Sequence, residues 1–242
     1  MERRDRPGVI TLFTHDPFAD GDTIHLRGGP AQHARARRVT RGTGAQLLDG
    51  RGRVGRGEVA AVGKDEVVVN VVSVETVARP TPLAVIVPVA DRDRMLMAAE
   101  KCVELQATEW RPAYYTRSRS VSSRGEGPKF LEKVRARMES ALEQSGGAWM
   151  PDIHPETEAA EAFSAISAGW TRLILDSRGT SIKDRIVSGA MAIAIGPEGG
   201  FEEDEVAAAQ ALGWLPASLG HTTLRFETAV IAAAAVVRSH QA

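Results

Sequence analysis

A carboxylate set inside a glycine turn is the first place in this chain where chemistry is possible: Glu198 stands within Gly196-Pro197-Glu198-Gly199-Gly200. The turn ends a short apolar run, 190–195, and an acidic, alanine-rich helical stretch follows it. A second apolar run closes at Leu219-Gly220, and Leu224-Arg225-Phe226-Glu227-Thr228-Ala229 comes next. Two strand ends that stop in glycine, with a helix between them, mark a ligand site at the carboxyl edge of an α/β sheet. Glycine there lets backbone amides and carbonyls approach a small molecule where a side chain would collide. The spacing predicts a cofactor pocket and leaves the cofactor open.

No Lys-Ser/Thr follows the turn, so it is not the phosphate loop of nucleotide hydrolases, and no G-x-G-x-x-G offers a dinucleotide site. Glu198 would repel a phosphate and suits a cationic ligand. A plainer reading makes the turn a helix entry, with Glu202, Glu203 and Asp204 set against the helix dipole. That reading is sufficient for those three acids. Glu227 or Thr228 suffices as a cap for the last helix. Arg225 is harder to dismiss, because a guanidinium beside such a pocket holds a phosphate or a carboxylate bidentately.

The elements that must position these residues are legible from periodicity. From Leu83 onward strands and helices alternate: apolar strands at 83–90, 110–115, 173–175 and 190–195, and helices over 95–105, 130–145 and 229–237. Alternation of this kind predicts a mainly parallel sheet with helices on both faces. Between the second strand and the second helix, 116–127 is polar, basic and glycine-containing and reads as a mobile loop. The first segment is different. Strands at 46–50 and the β-branched 67–74, separated by glycine turns, predict a small β-barrel, and Arg79-Pro80-Thr81-Pro82 reads as the linker.

Composition is ordinary for a globular chain, 43% hydrophobic and 25% charged, which argues against wholesale disorder. No apolar run is long enough to span a bilayer and no secretory signal opens the chain, so a cytoplasmic protein without membrane attachment is expected. The single Cys102 excludes an intramolecular disulfide, and no Cys/His cluster has zinc spacing, so no metal is expected. The net charge of −1 hides an asymmetry. Residues 27–56 carry eight arginines against Asp49 alone, and 111–137 carry eight more bases against Glu126 and Glu132. From Glu139 on there are fourteen acids against six bases. Segregated charge of this kind suits a polyanion on one surface, although arginine also simply decorates solvated faces.

The turn also carries a resemblance. GPEGGF, then SLG, then LR-x-ETA closely resembles the C-terminal signature of the RsmE-type methyltransferases, members of the knotted SPOUT class. Asp91-Arg92-Asp93-Arg94-Met95 with Lys101-Cys102-Val103-Glu104-Leu105 is similar to the family's helix after the first catalytic strand, and 141–146 resembles its EQSG segment. The similarity is close over 83–240 and loose over the first seventy residues. Where the family shows a hydrophobic-Leu-Arg strand and a Gly-Asp turn, this chain has Val39-Thr40-Arg41-Gly42-Thr43-Gly44-Ala45, and Gly147 replaces the base that follows EQSG.

The resemblance implies an α/β fold with a SPOUT-type knotted, mainly parallel sheet over 83–242, a trefoil knot around 195–230, and an N-terminal PUA-like RNA-binding β-barrel over 1–78. It implies S-adenosylmethionine as cofactor, held by Ile195, Gly196, Pro197, Glu198, Gly199, Leu219, Gly220 and Leu224. The substrate implied is uracil N3 in 16S ribosomal RNA of the small subunit, acted on by a homodimer. In that chemistry Arg225 would stabilise charge on the ring oxygens and Glu198 would accept the N3 proton. His33, Arg37, Arg38 and Arg41 form the expected RNA-facing strip, with Arg117 and Arg119 in the basic loop. Two rivals stand beside this reading: a knotted enzyme that methylates ribose 2′-oxygens, and a ribosome-assembly factor that binds RNA without catalysis.

Overall fold

The computed structural model describes residues 8–120 and 124–241, with backbone alone at 119 and 120. The chain forms two compact units, one of residues up to Arg79 together with Leu142–Met150, the other of Pro80–Ala141 and Pro151 onward.

In the first unit, β1 (Val9–Phe13), β2 (Thr23–Arg27), β3 (Gly44–Leu48), β4 (Arg53–Val62) and β5 (Glu66–Thr76) form one sheet in the order β1-β3-β4-β5-β2. Period-two alternation explains its core: Val67, Val69 and Val71 point inward from β5, while Val72 on the opposite face is exposed. Leu12, Leu47 and Val59 join that apolar cluster. The expected barrel is not a closed one. Strands β1 and β2 stand at the two ends of the path, and among the described residues they do not pair. A helix not foreseen in the sequence, α1 (Gly29–Ala36), buries Ala34 in the same cluster, so the sheet covers its apolar side without closing on itself. The segment Leu142–Met150 is tied to this unit by hydrogen bonds. The Phe13 amide donates to Glu143 at 2.8 Å, Gly52 to the Ala148 carbonyl at 2.9 Å, and the Trp149 indole to the Val77 carbonyl at 2.9 Å.

The second unit holds β6 (Leu83–Pro88), α2 (Arg92–Glu104), β7 (Glu109–Tyr114), α3 (Pro128–Ser145) as far as Ala141, β8 (Asp152–Ile153), β9 (Thr157–Glu158), α4 (Ala159–Ser164), β10 (Thr171–Ser181), β11 (Met191–Ile195), α5 (Glu203–Ala211), β12 (Leu215–Ser218) and α6 (Phe226–Gln241). Its sheet runs β12-β10-β11-β6-β7-β8, with β9 also on β7, and the pairings are parallel. Strands β6 and β11 are buried along their whole length, which is why they read as unbroken apolar runs. One face packs Phe163, Ala209 and Trp214 from the α4 and α5 side against Ala84, Ile86 and Ala194; α2 and α6 pack together on the strands' other side. No helix among the described residues is long and apolar enough to cross a membrane. The basic segment expected as a loop begins as a 3-10 turn over Thr116–Ser120.

Two side chains fasten the end of α6: Gln241 donates to the Gly189 carbonyl at 2.8 Å, and Arg238 does more. Arg238 donates to the carbonyls of Thr81 at 2.6 Å, Leu105 at 3.2 Å and Gln106, and burial pulls its guanidinium down to about 10. Arg238→Ala strands those carbonyls and is expected to cost about 2–4 kcal/mol, read as a lower urea midpoint.

Candidate functional site

The carboxyl ends of β11 and β12 and the middle of β10 surround a cleft of about 490 Å³. Three segments build it. After β11 the chain turns through Gly196–Gly200, closed by the Gly200 amide on the Pro197 carbonyl at 2.8 Å. After β12, Ser218 and Gly220 bond each other: the serine hydroxyl donates to the Gly220 carbonyl at 2.9 Å and accepts from its amide at 3.2 Å. Gly220 has φ +143°, a conformation L side chains rarely adopt, and a Cβ there would meet nothing within 4 Å. The glycine is therefore needed for its backbone and not for space. The third wall is an interruption of β10. Its register on β12 shifts between Leu175 and Thr180, and Asp176, Ser177 and Arg178 turn into the cleft.

The glycine turn is braced from below and from the side. Phe201 lies under Gly196 and packs edge-on against the buried Tyr115 ring at 5.3 Å. Glu202 and Glu205 form a capping box at the start of α5. One Glu205 oxygen takes the Glu202 amide and the other the Thr116 amide, each at 2.8 Å. Arg117 pairs with Glu202 at 2.8 Å and donates to the Gly199 carbonyl. The basic 3-10 turn is thus fastened to the entrance of α5.

All eight residues expected to hold a cofactor, Ile195, Gly196, Pro197, Glu198, Gly199, Leu219, Gly220 and Leu224, line this one cleft. Arg225 does not line it; its side chain is exposed just before α6. In its place another arginine meets Glu198. Arg94, from the first turn of α2, forms an ion pair with Glu198 and lies 4.0 Å by Nε from Glu227. Sequence reasoning placed Arg94 in a helix start and gave it no role. It also missed Asp176, whose carboxyl is held below the usual range by Arg178, which donates to it through Nε at 3.1 Å and Nη2 at 2.9 Å. The signal was faint in both cases, since each partner pairing depends on turns that periodicity does not show.

The expected RNA-facing residues fall into two groups. His33 and Arg37 lie at the end of α1, with Arg38 and Arg41 on the turn beyond it, the last three exposed. His33 is 3.9 Å from Glu143, and Arg37 donates to Gln144 at 3.1 Å, so two of the four face the EQSG segment. Arg117 stands in the other unit on the 3-10 turn; the side chain of Arg119 lies outside the described residues.

Comparison with known proteins supports an enzymatic setting for the cleft. The family of the RNA methyltransferase domain matches residues 78–238. The chain is 29% identical over 244 residues to the ribosomal RNA small subunit methyltransferase E of Mycobacterium bovis, covering 95% of this chain and 91% of the relative. Its likeness to the Synechocystis protein of the same name is 27% over 214 residues, 85% of this chain and 69% of that one. The ribosomal RNA small subunit methyltransferase E of Neisseria gonorrhoeae, solved bound to S-adenosyl methionine, superposes with a TM-score of 0.85 at 28% identity. That match covers 96% of this chain and 97% of the other.

Proposed function

The chain belongs to the RNA methyltransferase family, and from that premise we propose that it transfers a methyl group from S-adenosylmethionine to N3 of a uridine in 16S ribosomal RNA. One observation carries the reading. The glycine turn, the Leu219-Gly220 loop and Leu224, which α5 and β12 separate along the chain, line a single cleft at the sheet's carboxyl edge.

The cleft fits the cofactor's chemistry. Its volume lies within the usual range of small-molecule sites, and its glycine segments offer backbone groups to an adenine edge. Glu198, Glu203 and Asp176 present carboxylates to a cationic ligand. When bound, S-adenosylmethionine supplies an electrophilic methyl on a positively charged sulfur. The protein's part is to orient and to move a proton. Ile195, Leu219 and Leu224 supply apolar walls, and holding the base in line supplies much of the rate. Uracil N3 carries a proton near neutrality and attacks well only without it, so Glu198 receives that proton, directly or through water. Arg225, exposed between the wall residues Leu224 and Phe226, meets the substrate base and stabilises charge on its ring oxygens.

In the same reading the first unit is a PUA-like RNA-binding module presenting Arg38 and Arg41 with His33 and Arg37, and Arg117 and Arg119 contact phosphates. The chain passes through a trefoil knot around 195–230. Two copies pair through α6, where Ile231, Ala232, Ala235 and Val236 remain partly exposed, and the enzyme works in the cytoplasm on the small subunit. The test is methylation of small-subunit particles with labelled S-adenosylmethionine, followed by nucleoside mass spectrometry. The expected product is 3-methyluridine. A different methylated nucleoside overturns the substrate, and absence of cofactor binding overturns the enzyme.

A further inference from the structure

A buried carboxylate with an unused oxygen lies behind the cleft. Glu227, in the first turn of α6, is 7% exposed, and among the described residues its Oε2 has no hydrogen-bond partner. A buried anion of this kind is costly unless charge or donors face it. The group that faces it is Arg94, with Nε 4.0 Å from Glu227 Oε1. The same guanidinium pairs with Glu198 on the cleft wall. Arg94 is itself aimed from its backbone: the Asp91 carboxylate caps α2 and accepts the Arg94 amide at 3.1 Å. Three elements therefore meet at one side chain, namely the start of α2, the glycine turn and the start of α6.

We infer that Arg94 is a positioning residue for the reaction: it faces buried Glu227 at ion-pair separation on one side and fixes the Glu198 carboxylate at the cleft on the other. The inference rests on the proposed role of Glu198. A planar guanidinium with five donors can serve two carboxylates at once, which a lysine ammonium does less rigidly. Glu198 is half-exposed at 50% and stands in a turn, so without this pair its carboxylate would sample several rotamers. Glu227, being buried at the start of a helix, does not move with solvent and anchors the arrangement. Arg94 neither touches the transferred methyl nor accepts a proton.

The test compares wild type, Arg94→Ala, Arg94→Lys and the double variant Arg94→Ala/Glu227→Gln. Each is measured for single-turnover methylation of small-subunit particles, for S-adenosylhomocysteine binding by calorimetry, and for urea stability. Arg94→Ala is expected to lose 10- to 100-fold in turnover while ligand affinity changes less than threefold. Arg94→Lys is expected to recover part of that rate. The double variant removes the stranded buried charge, so stability should return to near the wild-type midpoint while turnover stays low. Turnover that recovers together with stability would make Arg94 merely structural and overturn the inference, as would wild-type turnover in Arg94→Ala. A wild type that binds the ligand and methylates nothing would overturn the proposed function itself, a result that is distinct from either.

Discussion

Gly179→Ala is expected to abolish measurable cofactor binding and to lower stability by about 2–3 kcal/mol, an unusually large effect for adding one methyl group. Strand β10 runs beside β12 until Leu175 faces Ala217, leaves the ladder for four residues, and returns with Thr180 facing the same Ala217. Gly179 is the residue that brings it back. A Cβ built there would lie 2.5 Å from the Ala217 nitrogen and 2.6 Å from the Pro216 carbonyl carbon. Those are backbone atoms of a strand and cannot rotate aside, so β10 and β12 must part. Ala217 and Ser218 form one cleft wall and Asp176–Arg178 another, and both would move together. Calorimetric titration with S-adenosylhomocysteine reads the loss directly. Gly169→Ala is the matched control, because among the described residues a Cβ there meets only the Ser167 hydroxyl, at 3.9 Å. If Gly179→Ala binds like that control, the steric account of the β10 interruption fails.

The contrast between Gly179 and Gly196–Gly200 shows what was legible in the sequence and what was not. The turn at 196–200 follows an apolar run and precedes an acidic, alanine-rich helical stretch, so its place at a strand end could be read directly. Gly179 sits in Asp176-Ser177-Arg178-Gly179-Thr180, which looks like any polar loop. That it lies within a strand of eleven residues depends on pairing with β12, whose residues come much later in the chain, a contact invisible to periodicity. The buried strands β6 and β11 and helices α2, α3 and α6 are readable because burial on both faces or one face leaves a trace in the apolar pattern, whereas α5, which buries Ala209 alone, is readable only from its acidic, alanine-rich composition. Helix α1 leaves little: it begins Gly29-Pro30 and its buried residues are Ala31 and Ala34, so its arginines and histidine dominate the pattern. Closure of the first sheet was inferred from β-rich composition, which fixes strand content but not whether the terminal strands meet. The Arg94 contact was hidden by distance. Asp91-Arg92-Asp93-Arg94 reads locally as a cap and a helix start, and both carboxylates that Arg94 faces lie beyond residue 190. No grouping of Leu142–Met150 with the first unit could be read either: Gly146-Gly147 mark the end of α3, but the partners Phe13, Gly52 and Val77 lie more than sixty residues earlier in the chain.

Glu198→Gln is expected to lower the rate of methyl transfer at neutral pH by about 10²–10³-fold, within the span of general-base contributions, while affinity for S-adenosylhomocysteine, whose sulfur carries no charge, stays nearly unchanged. The amide keeps the size of the side chain and can still accept a hydrogen bond, but it takes up no proton. It also removes the anion that pairs with Arg94, so the rate must be separated from any change in the turn. The pH dependence provides that separation. As pH rises, a growing fraction of the uracil loses its N3 proton to solvent, and the variant's need for a protein base falls with it. The deficit should therefore narrow steadily toward alkaline pH, each unit returning up to about tenfold until the base is fully deprotonated. A displaced turn would instead cost the same factor at every pH, since geometry does not titrate with the substrate. Single-turnover rates of wild type and variant, measured in parallel across that range with S-adenosylhomocysteine affinity as the companion reading, distinguish the two. A pH-independent deficit would remove Glu198 from proton transfer and leave it a wall of the cleft.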